Sequence, residues 1–194
     1  MASPALALPP AGGDRPRWVL TMAVLFLAAG GAMTFAALLG AYLHLRRLAS
    51  PFPPPDADID QYWGNVAMIT MLMGSVTVEW ARSALDRGQR KEALAAFGVT
   101  VGLGLAFLNL VSFAAGHVEF DAVTHPYGTV VAALTMLVGL VVGLSVAFVT
   151  LTLFRVAGRQ LLEPGADQPR ATACAWHFAT IASVAVWYTV IVLK

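Results

Sequence analysis

The chain has 194 residues, of which 58% are hydrophobic and only 12% charged, with a formal net charge of +1. So few polar side chains cannot coat a soluble globule, which excludes that class and indicates a membrane protein. A lone cysteine, Cys174, excludes a two-Cys copper centre, a C-x-x-C-H haem attachment and a cysteine-held iron–sulfur cluster.

Residues 1–17 open with "MASPALALPPAGG", rich in Pro and Gly and without periodicity, and read as a disordered tail ahead of a membrane domain over 18–194. Runs long and apolar enough to cross about 30 Å of hydrocarbon fall at 18–43, 63–84, 93–115, 127–154 and 174–193. The expected fold is therefore all-α, a polytopic bundle of five transmembrane helices. The first run follows Arg15 and Arg17 but exceeds the roughly 7–15 apolar residues of a signal peptide, so it reads as a permanent helix. The fourth is longer than one crossing needs and is expected to tilt or to extend past the bilayer.

Five crossings place the termini on opposite faces. Arg15, Arg17, Arg82, Arg87, Arg90, Lys91, Arg155, Arg159 and Arg170 then share one face, against Arg46, Arg47 and Lys194 on the other. The positive-inside rule makes the first face cytoplasmic, with the N-terminus inside and the C-terminus outside. Asp56, Asp58, Asp60, Glu119 and Asp121 fall on the outer face and leave it acidic. Between the second and third runs, "SALDRGQRK" reads as a tight cytoplasmic turn in which Gly88 supplies the positive φ that ends a helix. Its basic residues sit at headgroup level; a few such charges in a short loop do not make a nucleotide site, and no nucleic-acid partner is expected.

Helix packing in lipid favours small residues, and the G-x-x-x-G pairs Gly98/Gly102 and Gly139/Gly143, with "AAGGAMTFAALLGA" in the first run, are the expected contacts. Ionisable groups inside the runs are few and are functional candidates because they are costly there. They are Glu79 and His177, each within ~10 Å of the inner interface. Glu79 has Arg82 one turn on, so a local structural ion pair is weighed ahead of a proton-handling pair with His177. Arg82, Trp80 and Trp176 are candidate interface or lipid contacts. His44 and His177 lie near opposite faces and cannot clamp one haem, and His44, His117 and His125 lack the tight spacing of a metal site. The sequence thus assigns the chain no catalytic residue, cofactor or metal ligand, and no phosphate loop, nucleophile elbow or H-E-x-x-H occurs.

"WARSALDRGQRKEALAAFGVTVGLGLAF" at 80–107 resembles two consecutive helices of subunit III of the haem-copper oxidases. "AYLHLR", "YGTVVAALT" and the "WHF" of Trp176–Phe178 resemble further stretches of the same family, and the likeness runs from about Ala32 to Lys194. The chain also departs from it. Gly31 stands near the place of the family's membrane carboxylate, and Val138, Gly139, Leu140 and Val141 replace its His-Gly-Leu-His. Val111 and Ala114 replace its Gln and Glu, and the Asp after Trp-His-Phe is gone at Ala179–Thr180.

The resemblance implies a divergent five-helix, non-catalytic subunit of a respiratory oxidase in the cell (inner or plasma) membrane. Its partners would be subunit I and subunit II, which carry the haem and copper, together with structural lipids held in a cleft. In the family this subunit stabilises subunit I and supports proton uptake. Cytochrome c oxidase, quinol oxidase and nitric oxide reductase remain open as the complex served. A small transporter or channel working alone is the alternative from another class; an odd helix count argues against a simple two-fold repeat.

Overall fold

The computed structural model describes residues 18–48, 52, 61–116, 126–161, 163 and 165–193. Five long helices follow one another: α1 (Val19–Leu48), α2 (Gln61–Asp86), α3 (Arg90–Gly116), α4 (Pro126–Ala157) and α5 (Asp167–Trp187), the last running into a π-helical turn, Tyr188–Val192. The tail at 1–17, the acidic residues Asp56, Asp58, Asp60, Glu119 and Asp121, and His117, His125 and Lys194 lie outside the described residues.

Two helices differ from their expected bounds. α1 continues five residues beyond 43, because its last turn places Arg46 and Arg47 where the negative end of the helix dipole favours them. α5 begins at Asp167 rather than at 174. Pro169 is tolerated in a first turn, where its missing N–H has no intrahelical partner to lose, and Asp167 suits the positive end of the dipole. Asp167 also acts across space: its carboxylate accepts the backbone N–H of Leu20 at 2.7 Å, that of Thr21 at 3.3 Å and the Thr21 hydroxyl. One acid thus serves the start of two helices. Beside it Trp18 stacks on Arg170, whose guanidinium carbon lies 4.2 Å from the ring centre.

α2 and α3 form the hairpin foreseen at the basic turn. Gly88 has φ +73°, its N–H bonds to the Leu85 carbonyl at 2.9 Å, and that of Gln89 to Ala84 at 2.8 Å, which is the Schellman closure. The end of α4 repeats this pattern with Arg159, at φ 61°, in the position where glycine is usual. Arg90 donates to the Val156 and Ala157 carbonyls and the Asp86 carboxylate accepts the Gly165 N–H, so the turn after α2 holds the turn after α4.

α5 packs against α1, α2 and α4, α3 bridges α2 and α4, and α1 lies outside against α5 and α4. The core therefore sits along α5. Among the described residues, four helices are long and apolar enough to cross a membrane: α1, α3, α4 and α5 with its π-helical turn. α2 falls short because it carries Asn65, Thr70, Ser75, Thr77, Glu79 and Arg82 along its length. The protein is an all-α, multi-pass membrane protein.

Candidate functional site

Toward the end of the bundle that holds the turns after α2 and α4, α2 and α5 bring together the two ionisable residues singled out in the sequence. Glu79 Oε1 lies 2.9 Å from His177 Nε2, and Glu79 Oε2 accepts from Arg82 Nε at 2.8 Å. Arg82 reaches on to Asp86 at 3.6 Å, so the polar chain runs from α5 down α2 to the loop that Asp86 anchors. Glu79 thus contacts both partners weighed in the sequence, one with each carboxylate oxygen. The (i, i+3) spacing foretold the Arg82 contact; the His177 contact required α5 to lie beside α2, which no local pattern specifies.

The Glu79 and His177 side chains are about two-fifths exposed. Such a pair can pass a proton between helices or tie them together, and its exposure limits its contribution to stability. Trp80, 46% exposed, faces outward beside it. The nearby interhelical contacts are neutral: Ser75 with Thr180, Thr77 with Thr100, and Thr152 with Thr172, each with hydroxyl oxygens 2.8 Å apart. Shared hydroxyls of this kind satisfy each other where lipid offers no partner.

Trp176 is not a lipid or partner contact. It is fully buried at the centre of the bundle, seated in a notch made by two glycines. A Cβ on Gly74 of α2 would come within 2.4 Å of its ring, and one on Gly104 of α3 within 3.0 Å of it and 2.3 Å of Val146. Only bare backbone at both places lets an indole lie between α2, α3 and α4. The G-x-x-x-G pairs were expected in this role, yet a Cβ on Gly98, Gly102, Gly139 or Gly143 would meet nothing within 4 Å. Those four glycines line outward faces. Motif spacing identifies a face of small residues but not the side on which a neighbour stands. In α1 the same division holds, since Gly30 and Gly40 are open while a Cβ on Gly31 would lie 2.9 Å from the Phe178 ring.

The opposite end of the bundle is aromatic and apolar among the described residues. Tyr42, Phe52 and Tyr127 form a triad with ring centres 5.2 to 6.0 Å apart, and Trp63 packs edge-on against Phe113 at 5.2 Å. Next to them a cavity of about 390 Å³ opens between α2, α3, α4 and α5. No local pattern foretells it, since its walls come from four separate segments.

Comparison with known proteins bears directly on this arrangement. The family described as Cytochrome c oxidase subunit III matches over residues 19–193, which takes in all five helices. The chain belongs to that family. Cytochrome c oxidase subunit 3 of Strongylocentrotus purpuratus is 30% identical over 118 residues, 61% of this chain and 44% of that protein. The proteins of the same name from Coturnix japonica and Branchiostoma lanceolatum are 30% and 31% identical over 111 residues, 57% of this chain and 42% of each of theirs. The chain therefore matches less than half the length of these relatives. Within the family frame, Gly31, where a carboxylate was expected, is filled from across the interface by the Phe178 ring, and the Trp of "WHF" becomes the centre of the core.

Proposed function

We propose that this chain is a non-catalytic subunit III of a respiratory haem-copper oxidase in the cell membrane, packed beside the subunit that holds haem and copper. In this reading it stabilises that subunit and supports its proton uptake. Family membership across residues 19–193 carries the proposal. The surface supports it: Phe26, Leu27 and Met33 on α1 are each more than three-quarters exposed, and Gly98 and Gly102 of α3 and Gly139 and Gly143 of α4 have nothing within 4 Å of where a Cβ would stand. Open small-residue faces are where a further transmembrane helix approaches closely. The haem and copper belong to the partners in this reading, with subunit II completing the complex.

We also propose that α2 is a fifth crossing, with the N-terminus inside and the C-terminus outside. The turn after α2, the turn after α4 and the start of α1 meet at one end of the bundle through Asp86, Arg90 and Asp167, which collects the basic residues on a single face. The polar residues of α2 do not forbid a crossing, since Ser75, Thr77 and Asn65 are all bonded to other helices.

The test is to purify the tagged chain in mild detergent and identify what accompanies it. A haem-copper catalytic subunit should co-purify, and deletion of the chain should leave the haem spectra in place while oxidase activity declines during turnover. Recovery of the chain alone as a monodisperse species, with respiration unchanged by deletion, would sink the proposal and favour an independent transporter. Recovery with a nitric oxide reductase would reassign the complex. Reporters fused after Lys194 and inserted at Gly88 should report outside and inside respectively.

A further inference from the structure

α3 turns Ala93, Ala96, Phe97, Thr100, Gly104 and Phe107 into the bundle, where they are buried. Its opposite side is exposed and built largely of small residues. Gly98, Gly102, Leu105, Asn109, Ser112 and Gly116 are all exposed there, and they recur at alternating intervals of four and three residues. That is the 3.5-residue repeat of a left-handed helix pair, sustained to the end of the helix. A Cβ on Gly98, Gly102 or Gly116 would meet nothing within 4 Å, so a second backbone can approach closely along this line. The exposed crest of α4 differs, because Met136, Leu140 and Leu144 project from it and their bulk holds a neighbour away.

One residue of this seam is costly in lipid. Asn109 lies seven residues before the end of α3 at Gly116, or about 10 Å in from that end at 1.5 Å per residue. Its carboxamide is exposed and has no hydrogen-bond partner among the described residues, whereas the Asn65 carboxamide of α2 accepts from the Trp187 indole at 3.1 Å. A carboxamide facing hydrocarbon needs a group that both donates and accepts at its own depth, since lipid chains do neither. Small residues alone would admit any helix; Asn109 narrows the choice. The same residue on a second copy of the chain meets the need by itself. Two copies in one membrane share an orientation, so a two-fold axis along the membrane normal sets their α3 helices parallel and brings identical residues to equal depth. In the heptad of the seam Asn109 takes an a position, where a single asparagine fixes the register and the oligomeric state of a parallel pair.

We propose that α3 is a dimerisation helix, through which two copies of this chain pair along Gly98, Gly102, Leu105, Asn109 and Ser112. The two Asn109 carboxamides hydrogen-bond to each other across the two-fold axis, and the glycines let the backbones close around them. The seam uses the side of α3 turned away from the core, and it leaves the exposed sides of α1 and α4 to other subunits. It goes beyond the assignment to an oxidase and does not depend on it.

The test expresses two differently tagged copies of the full chain together in their native membrane, solubilises it in mild detergent and measures how much of one copy is captured with the other. Wild-type copies should be captured together. Asn109→Leu and Gly102→Leu should each reduce that capture about tenfold, while Leu140→Ala on α4 leaves it unchanged. Both α3 variants should be recovered at the wild-type level, since neither position touches the core. Cross-linking in the intact membrane reads the geometry separately. With Cys174 replaced by Ser, Asn109→Cys should yield a disulfide-linked dimer on copper-phenanthroline oxidation, and Leu140→Cys should not. Absence of wild-type capture, or of a cross-link from Asn109→Cys, would overturn the proposal. Capture unchanged in both α3 variants would overturn it too, because the copies would then be bridged by other subunits. Recovery of a haem-copper subunit is scored in the same samples, so failure of the oxidase assignment is seen apart from failure of the dimer.

Discussion

α1 and α5 are both apolar membrane helices, yet 6% of the most apolar stretch of α1 is buried within the protein against 44% of that of α5. α5 is the least apolar of the four spanning candidates yet the most buried, while α1 and α3 are equally apolar and differ widely in burial, so hydrophobicity does not set the order of burial. In water it would. In lipid the surroundings are as apolar as any side chain, and a helix moves to the centre when it brings small residues and hydroxyls that pair with its neighbours. α5 supplies Ala171, Thr172, Ala173, Ala179, Thr180, Ala182 and Ser183, all buried, around one large side chain, Trp176. α1 buries only Thr21, Phe35 and Tyr42 among the described residues.

The strongest way to break this contrast is at the seat of Trp176. Trp176→Ala should lower stability by about 3–5 kcal/mol, and Gly104→Ala, with its Cβ driven against Val146 and the indole, by about 1–3 kcal/mol. Thermal denaturation in detergent followed by size-exclusion chromatography measures both. Gly98→Ala and Gly139→Ala should leave the stability of the isolated chain unchanged, because nothing lies against them. If instead the outward glycines mattered as much as Gly104, the division between inward and outward faces would be wrong.

A smaller effect sharpens the other side of the comparison. α1 buries little, so the three bonds from Asp167 to its first turn should count for more than usual. Asp167→Ala should cost about 1–2 kcal/mol, and hydrogen exchange at the Leu20 and Thr21 amides should quicken while the amides of α3 stay protected. Uniform acceleration through all five helices would show that α1 is not separately held.

Glu79→Gln should lower stability by less than about 1 kcal/mol, since the pair with His177 is two-fifths exposed and the glutamine can still hydrogen-bond. Turnover of the assembled complex separates the two roles of this residue. Little change marks a structural tie between α2 and α5, and severe loss in correctly assembled complex marks a proton-handling group. The smallest expected effect is a gain: Arg159→Gly relieves a positive φ at the end of α4 and should raise stability by up to about 1 kcal/mol, seen as a higher thermal midpoint.

Much of this protein follows from local chemistry. Long apolar runs fix the number and approximate bounds of the helices, since any backbone that enters lipid must satisfy its own hydrogen bonds. Gly88 marks the turn between α2 and α3 because this helix closure needs positive φ, which glycine adopts without strain. The Glu79–Arg82 pair follows from one turn of spacing. Other features needed the packed bundle. His177 reaches Glu79 because α5 lies against α2, Asp167 caps α1 from 146 and 147 residues away in the chain, and Trp176 sits between two glycines of different helices. The cavity between α2, α3, α4 and α5 exists only as the gap left among four helices. Periodicity records which residues share a face of one helix; the side from which a neighbour arrives depends on the shapes of all five, and only the tertiary structure decides it.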